Sequence, residues 1–301
     1  MKSRITAHSE YGKIESIILK KATDAFISEA LINDQWQELN FTSSPSLVPG
    51  LKEYHDFEKL VTHHLAQTFY LPTCEDVSLD SIYCRDAAIS TDHGLILCQM
   101  GKPQRIMEPE AIRAFCASHN IPILGQIDPP GTLEGGDVAW IDERTLAVGH
   151  TYRSNLEGIK QLKMLLAPFD IEVLKVDLPH YRGPSDVFHL MSIFSPIDRD
   201  VAVVYSPLMP VAFREELLNR SFHLIEVPHQ EFDSMGCNVL AIAPRQCVIV
   251  AGNPLTKAAL EQTGCSVFDY EGSEISLKGG GGPTCLTRPL YRSIIDTGFN
   301  E

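Results

Sequence analysis

No apolar run in this chain approaches the ~18 residues that a membrane-spanning helix needs. The opening segment, MKSRITAHSEYGKIES, also lacks the apolar core of a secretory leader. The eight cysteines, at positions 74, 84, 98, 116, 237, 247, 265 and 285, contain no CxxC pair and no Cys/His spacing typical of zinc. These absences argue against a disulfide scaffold and point to a reduced, cytoplasmic setting in which most cysteines are small buried hydrophobes. Positive charge is scarce too. Lys and Arg number 25 against 39 Asp and Glu, a net charge of −14, and such a surface repels nucleic acid and anionic membranes. With no low-complexity tract and 44% apolar residues over 301 positions, the chain has the balance of a globular protein.

What the chain does contain is a repeat. A strand at 138–141, a second at 145–148, a helix at about 155–166 and a third strand at 171–178 form one unit, and the helix carries Ile159, Leu162, Leu165 and Leu166 at helical spacing. The same order recurs upstream at 87–91, 95–99, 108–119 and 121–124. Downstream it recurs at 189–194, 201–205, 211–218 and 224–227, and once more at 239–243, 247–250, 254–262 and 266–270. First strands therefore begin near 87, 138, 189 and 239. A fixed period of this size marks a propeller or an array, because one such unit cannot bury its own apolar face. A strand at 14–20, a helix at 52–68 and a strand at 286–290 remain, and together they make a fifth copy split between the two ends of the chain. Residues 27–49, with Trp36, Leu39 and Phe41, fit no unit and are expected to form an irregular lid or binding loop.

The repeat sets five polar residues in one slot. Asp86, Asp137, His189, Asn238 and Cys285 each precede or open a first strand, so they are expected to converge at one end of a common axis. Each alone is weak evidence, since a lone histidine or cysteine is more often packing than chemistry. Their shared position is what carries weight. Gly279-Gly280-Gly281-Gly282-Pro283-Thr284 leads into Cys285, and such a run lets backbone approach a ligand closely. A phosphate cradle is the poorer reading, because no Lys-Ser or Lys-Thr follows and no GxGxxG opens a helix. The preferred reading is a loop that carries a nucleophile, with backbone N–H groups favouring its thiolate. A guanidinium suits this set. Two carboxylates match its fork of N–H donors, a thiolate attacks its carbon, and a histidine protonates the departing nitrogen and later deprotonates water.

At these residues the chain resembles a known group. Tyr83-Cys84-Arg85-Asp86, Leu133-Glu134-Gly135-Gly136-Asp137, His189-Leu190 and the run from Gly279 to Cys285 are similar to motifs of the guanidine-modifying superfamily. Its members include arginine deiminases, dimethylarginine dimethylaminohydrolases and amidinotransferases. The resemblance spans about residues 80–290. It implies an α/β fold, a five-bladed pseudo-symmetric propeller of ββαβ modules closed by the two termini, in one catalytic domain over residues 1–301. It further implies Cys285 as nucleophile, His189 as acid/base, and Asp86 and Glu134 as holders of the guanidinium. Arg153, in Arg153-Ser154-Asn155, matches the arginine that grips the substrate α-carboxylate, and Arg105 resembles a second such contact. Asp137 and Asn238 join the expected substrate contacts.

One departure bears on specificity. Deiminases and amidinotransferases carry His-x-Asp, whereas here Met191 stands two residues past His189. A thioether cannot replace that carboxylate but tolerates an N-alkyl group. The expectation is hydrolysis of an N-substituted arginine to citrulline and an amine, with a small guanidino amino acid as partner, neither cofactor nor metal, and self-association left open. Competing expectations are an amidinotransferase, an arginine deiminase, a zinc hydrolase, or a non-catalytic binding protein on the same fold.

Overall fold

A hairpin needs only a tight turn, whereas two parallel strands need a long crossover. This difference shapes every module. The computed structural model describes residues 3–295. In its first module, Ala88–Thr91 pairs antiparallel with Gly94–Leu97, helix Glu108–His119 crosses over, and Ile123–Gln126 returns parallel to the second strand. The second module repeats this with Val138–Trp140, Thr145–His150, helix Leu156–Leu166 and Glu172–Asp177. The third uses Phe194–Asp198, Val201–Val204, helix Val211–Asn219 and His223–Glu226. The fourth uses Leu240–Ala243, Gln246–Val250, helix Pro254–Gln262 and Ser266–Tyr270.

The fifth module is divided between the ends of the chain. Thr287–Ile295 pairs antiparallel with Lys13–Leu19, helix Leu47–Thr62 crosses over, and Gln67–Tyr70 returns parallel. Ser3–Thr6 adds a fourth strand on the outer edge of Thr287–Ile295. The result is a five-bladed, pseudo-symmetric α/β propeller of five small sheets, with no closed barrel. Among the described residues no helix is long and apolar enough to cross a membrane.

Local chemistry fixes the joints. Gly94 closes the first hairpin at φ +118°, and a Cβ there would stand 2.8 Å from the Pro122 carbonyl oxygen. Asn155 caps helix Leu156–Leu166 by accepting the Gly158 N–H at 2.9 Å. That helix buries Ile159, Leu162 and Leu166 against its sheet. Neighbouring modules then share their apolar faces. Val201 and Val203 pack in one cluster with Ala139 of the second module and Val239 and Ala241 of the fourth. Ile89 and Leu95 cluster with Val138 and Trp140 on one side and with Ile18 and Leu290 of the fifth module on the other. Ile17 and Leu19 meet Leu240 and Val248, which closes the ring.

Three expectations change. The third module's first strand begins at Phe194, because residues Leu190–Ser192 form a 3₁₀ turn in which the Leu190 N–H donates to the Asp137 side chain at 3.0 Å. The fifth helix runs over Leu47–Thr62, earlier than expected, and Gln67–Tyr70 is a strand. Residues 27–49 are largely ordered by packing. Helix Glu29–Gln35 is capped by Ser28, Leu39 and Phe41 are buried, and the Thr42 N–H donates to the Lys278 carbonyl at 2.8 Å.

Helix Leu47–Thr62 fastens the split module through Phe57, which is fully buried with its ring centroid 4.8 Å from that of Tyr270 in the fourth module. Phe57→Ala is expected to cost about 3–5 kcal/mol of stability, read as a lower urea midpoint at unchanged slope. A loss under about 1 kcal/mol would show that this helix does not fasten the module.

Candidate active site

The five slot residues enter their modules from the same end. Asp86 lies two residues before Ala88, Asp137 one before Val138, Asn238 two before Leu240 and Cys285 two before Thr287, while His189 precedes the 3₁₀ turn. His189, Met191, Asn238, Cys285 and Gly136 line one cavity of about 320 Å³. A narrower recess beside it is lined by Asp86, Lys102, Arg105, Arg153, His189 and Cys285. Asp86, Glu134 and His189 each bring a side-chain N or O within 4.8 Å of the others.

Glu134 is the hub. Its Oε1 accepts the N–H groups of Gly101 and Lys102, both at 3.0 Å, and Arg153 Nη1 donates to it at 3.3 Å. Its Oε2 is 2.8 Å from His189 Nε2. Burial favours the neutral acid, but His189 and Arg153 override it and hold the Glu134 carboxyl far below the usual range. His189 answers in the opposite direction. Burial disfavours its charge, yet Asp137, Asp86 and Glu134 raise it to about 9, so it is an imidazolium at neutral pH. A Cβ at Gly136 would stand 2.4 Å from His189 Nδ1 and 2.7 Å from Asp86 Oδ1, so the Gly-Gly pair lets backbone reach both groups.

Two expected substrate contacts, Asp137 and Arg105, already hold protein partners. Asp137 Oδ2 accepts the hydroxyls of Thr151 and Ser154, each at 2.7 Å, and Oδ1 accepts the Leu190 N–H. It therefore fixes the Arg153 turn and the His189 turn. Burial lifts it to about 6 against the pull of His189. Arg105 donates from Nη1 to Asp86 Oδ2 at 2.6 Å, from Nε and Nη2 to Glu108 at 2.8 Å, and from Nη2 to the Tyr83 carbonyl. All three nitrogens are engaged, so Arg105 positions Asp86. Asp86 Oδ1 is buried with no hydrogen-bond partner among the described residues.

Cys285 is 8% exposed. Burial and the nearby Asp86 push its thiol up, while hydrogen bonds from Thr284 and Asn238 work against them. Asn238 Nδ2 donates to Sγ at 3.5 Å, and its Oδ1 accepts the Thr284 N–H at 3.0 Å and hydroxyl at 2.9 Å. Side chains thus serve the sulfur, for the Cys285 N–H is bound to the Gly282 carbonyl. The glycine run is required by crowding: a Cβ at Gly281 would meet the Tyr83 ring at 2.4 Å. Met191 is buried on the same cavity, joined by Phe188, Tyr181, Phe232 and Met235.

Sequence reasoning did not single out Lys102, Glu108, Thr151 or Ser154. Lys102 binds the Leu39 carbonyl at 2.6 Å and pairs with Asp80. Burial lifts Glu108 to about 7 even beside Arg105. The three-residue spacing of Arg105 and Glu108 was the available signal for their pairing. Asp86, Glu134 and His189 are close enough to serve as metal ligands, and an ion there would have to displace the proton shared by His189 and Glu134.

The family model for arginine deiminase matches residues 52–217 and 206–292. The uncharacterized protein YkgA of Bacillus subtilis is 27% identical over 292 residues, covering 96% of each chain. An arginine deiminase of Bacillus thuringiensis subsp. konkukian is 25% identical over 288 residues, covering 81% of this chain and 68% of its own. Among solved structures, the dimethylarginine dimethylaminohydrolase of Pseudomonas aeruginosa, a cysteine-to-serine mutant complexed with citrulline, superposes with a TM-score of 0.73 at 21% identity. It covers 94% of this chain and 100% of its own. The N-terminal domain of ArgZ bound to product, from an arginine dihydrolase of cyanobacteria, gives 0.77 at 18% identity, covering 92% and 97%.

The His189–Glu134 pair makes a direct prediction. In a histidine-resolved NMR titration His189 should lose its proton near pH 9. Glu134→Gln removes both the charge and the acceptor, so the midpoint should fall by more than about one unit toward the ordinary 6.5. Equal midpoints in the two proteins would refute the pairing.

Proposed function

The chain belongs to the arginine deiminase family, and we propose that it hydrolyses the guanidinium group of an N-substituted arginine to citrulline and an amine, through a covalent adduct on Cys285. The observation that carries this reading is Asp86 Oδ1, an acceptor buried without a donor beside the same recess as Cys285 and His189. A planar cation with paired N–H groups supplies the donor and offsets the charge. Glu134, already bound to His189, Arg153 and two backbone N–H groups, holds the imidazolium in place, and Arg153, which lines the recess, grips the α-carboxylate.

The chemistry follows from the charges. Free Cys285 is a thiol at neutral pH, because burial and Asp86 raise it. A bound guanidinium beside the sulfur favours the thiolate, and the thiol proton leaves to solvent because His189 already carries one, so substrate activates its own nucleophile. The thiolate forms a C–S bond to the guanidinium carbon. His189, charged below about pH 9, gives its proton to the departing amine as the C–N bond breaks. The neutral imidazole then takes a proton from water, whose oxygen adds to the thiouronium carbon. Collapse breaks the C–S bond and leaves a ureido product, with sulfur and imidazole restored. Asn238, donating to Sγ, keeps the sulfur in line.

Substitution on the guanidinium is favoured by the wall of the larger cavity. Met191, Phe188 and Met235 offer dispersion contacts to an alkyl group, and the carboxylates of the same cavity, Asp186 and Asp233, lie elsewhere in the sequence from the position two past His189. The segment carrying Asn40 and Thr42 lines the same cavity and acts as its cover. Free arginine is the second reading, favoured by the family and by relatives that are themselves arginine deiminases. Amidinotransfer uses the same adduct with an amine in place of water.

Assays that follow citrulline and amine release together, on arginine and its N-methylated derivatives, separate these readings. Methylamine or dimethylamine with citrulline is expected, ammonia alone from arginine would establish the deiminase, and citrulline from no guanidino acid would retire both. Cys285→Ser should lower turnover by about 10³-fold or more with the fold intact. Unchanged turnover would remove the proposed nucleophile and leave a binding protein to be considered. The pH profile has a defined sign. Raised above its ordinary 6.5, His189 keeps its proton until about 9, so kcat/KM should fall as pH rises through 9.

A further inference from the structure

Beside the Arg85-Asp86 step, three buried guanidinium groups lie within electrostatic reach of one another and of Glu10. Arg85 and Arg292 are each 1% exposed, and Arg288 is 5% exposed. They come from different parts of the chain, Arg85 from the entry to the first module and the other two from the last strand. Some of their donors have clear partners. Arg85 Nη2 donates to Glu10 Oε2 at 2.7 Å, and Arg292 Nη1 donates to the carbonyls of Gly12 at 2.6 Å and Ala241 at 2.7 Å. Arg288 Nη2 donates to the Arg85 carbonyl. Six nitrogens remain, and five of them are fully enclosed. Arg85 Nε and Nη1, Arg288 Nε, and Arg292 Nε and Nη2 are buried without a hydrogen-bond partner among the described residues.

The charge is also out of balance. Glu10 is the carboxylate that acts on this group, and it is held low by Arg85, Arg292 and Arg288 against the effect of its burial. Burial and mutual repulsion bring Arg288 and Arg292 down to about 10, which still leaves both charged at neutral pH. The thiol of Cys84 stays neutral, since burial lifts it to about 12. Three cations against one anion leave two positive charges in a low-dielectric interior, where an uncompensated ion costs several kcal/mol. Ordered water satisfies N–H groups but carries no charge. A small anion does both.

We propose that Arg85, Arg288 and Arg292 form a buried receptor for one small monovalent inorganic anion, of the chloride type, next to the Cys285 segment. The bound anion accepts from the five free guanidinium nitrogens and offsets one of the two excess charges. It braces that segment, because the Arg85 N–H donates to the Cys285 carbonyl at 3.2 Å and Arg288 holds the Arg85 carbonyl. The inference does not depend on which guanidino compound the site above turns over.

The test uses the intact protein. Thermal unfolding is followed while sodium chloride or bromide replaces sodium gluconate at constant ionic strength, and crystals soaked in bromide are measured at its absorption edge. A saturable rise in melting temperature of about 3–8 °C is expected, with an anomalous peak among the three guanidinium groups. Arg292→Met should abolish the halide-dependent rise. Should that variant not fold, Glu10→Gln serves: removing the competing carboxylate should lower the half-saturating bromide concentration by about 10-fold or more. A melting temperature indifferent to the replacement, or bromide maps without a peak at the cluster, overturns the proposal.

Discussion

A carboxylate fully enclosed by protein normally surrenders its charge, and the centre of this molecule depends on Glu134 keeping its own. Two backbone N–H groups, an arginine and an imidazolium converge on it from three separate stretches of chain. The pairing works in both directions. Glu134 stays ionised because His189 is charged, and His189 stays charged in a buried site because Glu134 and its acidic neighbours are there. A protonated imidazole held against a buried carboxylate is the result.

Support around that pair is layered. Asp137 ties the turn bearing Arg153 to the turn bearing His189 through Thr151, Ser154 and the Leu190 N–H. Arg105 and Glu108 do the same for Asp86 from the side of the first helix. Asp137 and Arg105, which the sequence offers as candidate contacts, already hold these protein partners. Groups left with an open valence, Asp86 Oδ1 and the enclosed guanidinium nitrogens, are consequently the informative ones.

The fold was legible because its signal is periodic. Four modules repeat alternating and helical apolar patterns at a near-constant spacing, and the observed strands fall close to the expected ones. Failures have local causes. Pro49 and Gly50 sit in the first turn of helix Leu47–Thr62 and mask its start, although proline is tolerated there. Gln67–Tyr70 is four residues long and has no fully buried position, so it carries no alternation. Residues 190–192 adopt a turn because a side chain 53 positions away takes a backbone donor that a strand would have used. In the site, shared slots located Asp86, Asp137, His189, Asn238 and Cys285. They did not reveal which carboxylate already had its donors, since that depends on orientation. Arg85, Arg288 and Arg292 look like ordinary surface cations in a linear reading, and only the closed ring brings them together.

The divided fifth module has a consequence for biosynthesis. Lys13–Leu19 is made early and must wait for Thr287–Ile295, nearly the whole chain later, before its antiparallel partner exists. Contacts of such long separation are slow to form and close last. The same closing strand directly follows Cys285, so the proposed nucleophile reaches the pocket only as the ring closes. A ribosome-bound or partly folded chain would hold most of the pocket's acidic groups in place while its thiol was still outside. Competence for reaction therefore arrives together with completion of the ring.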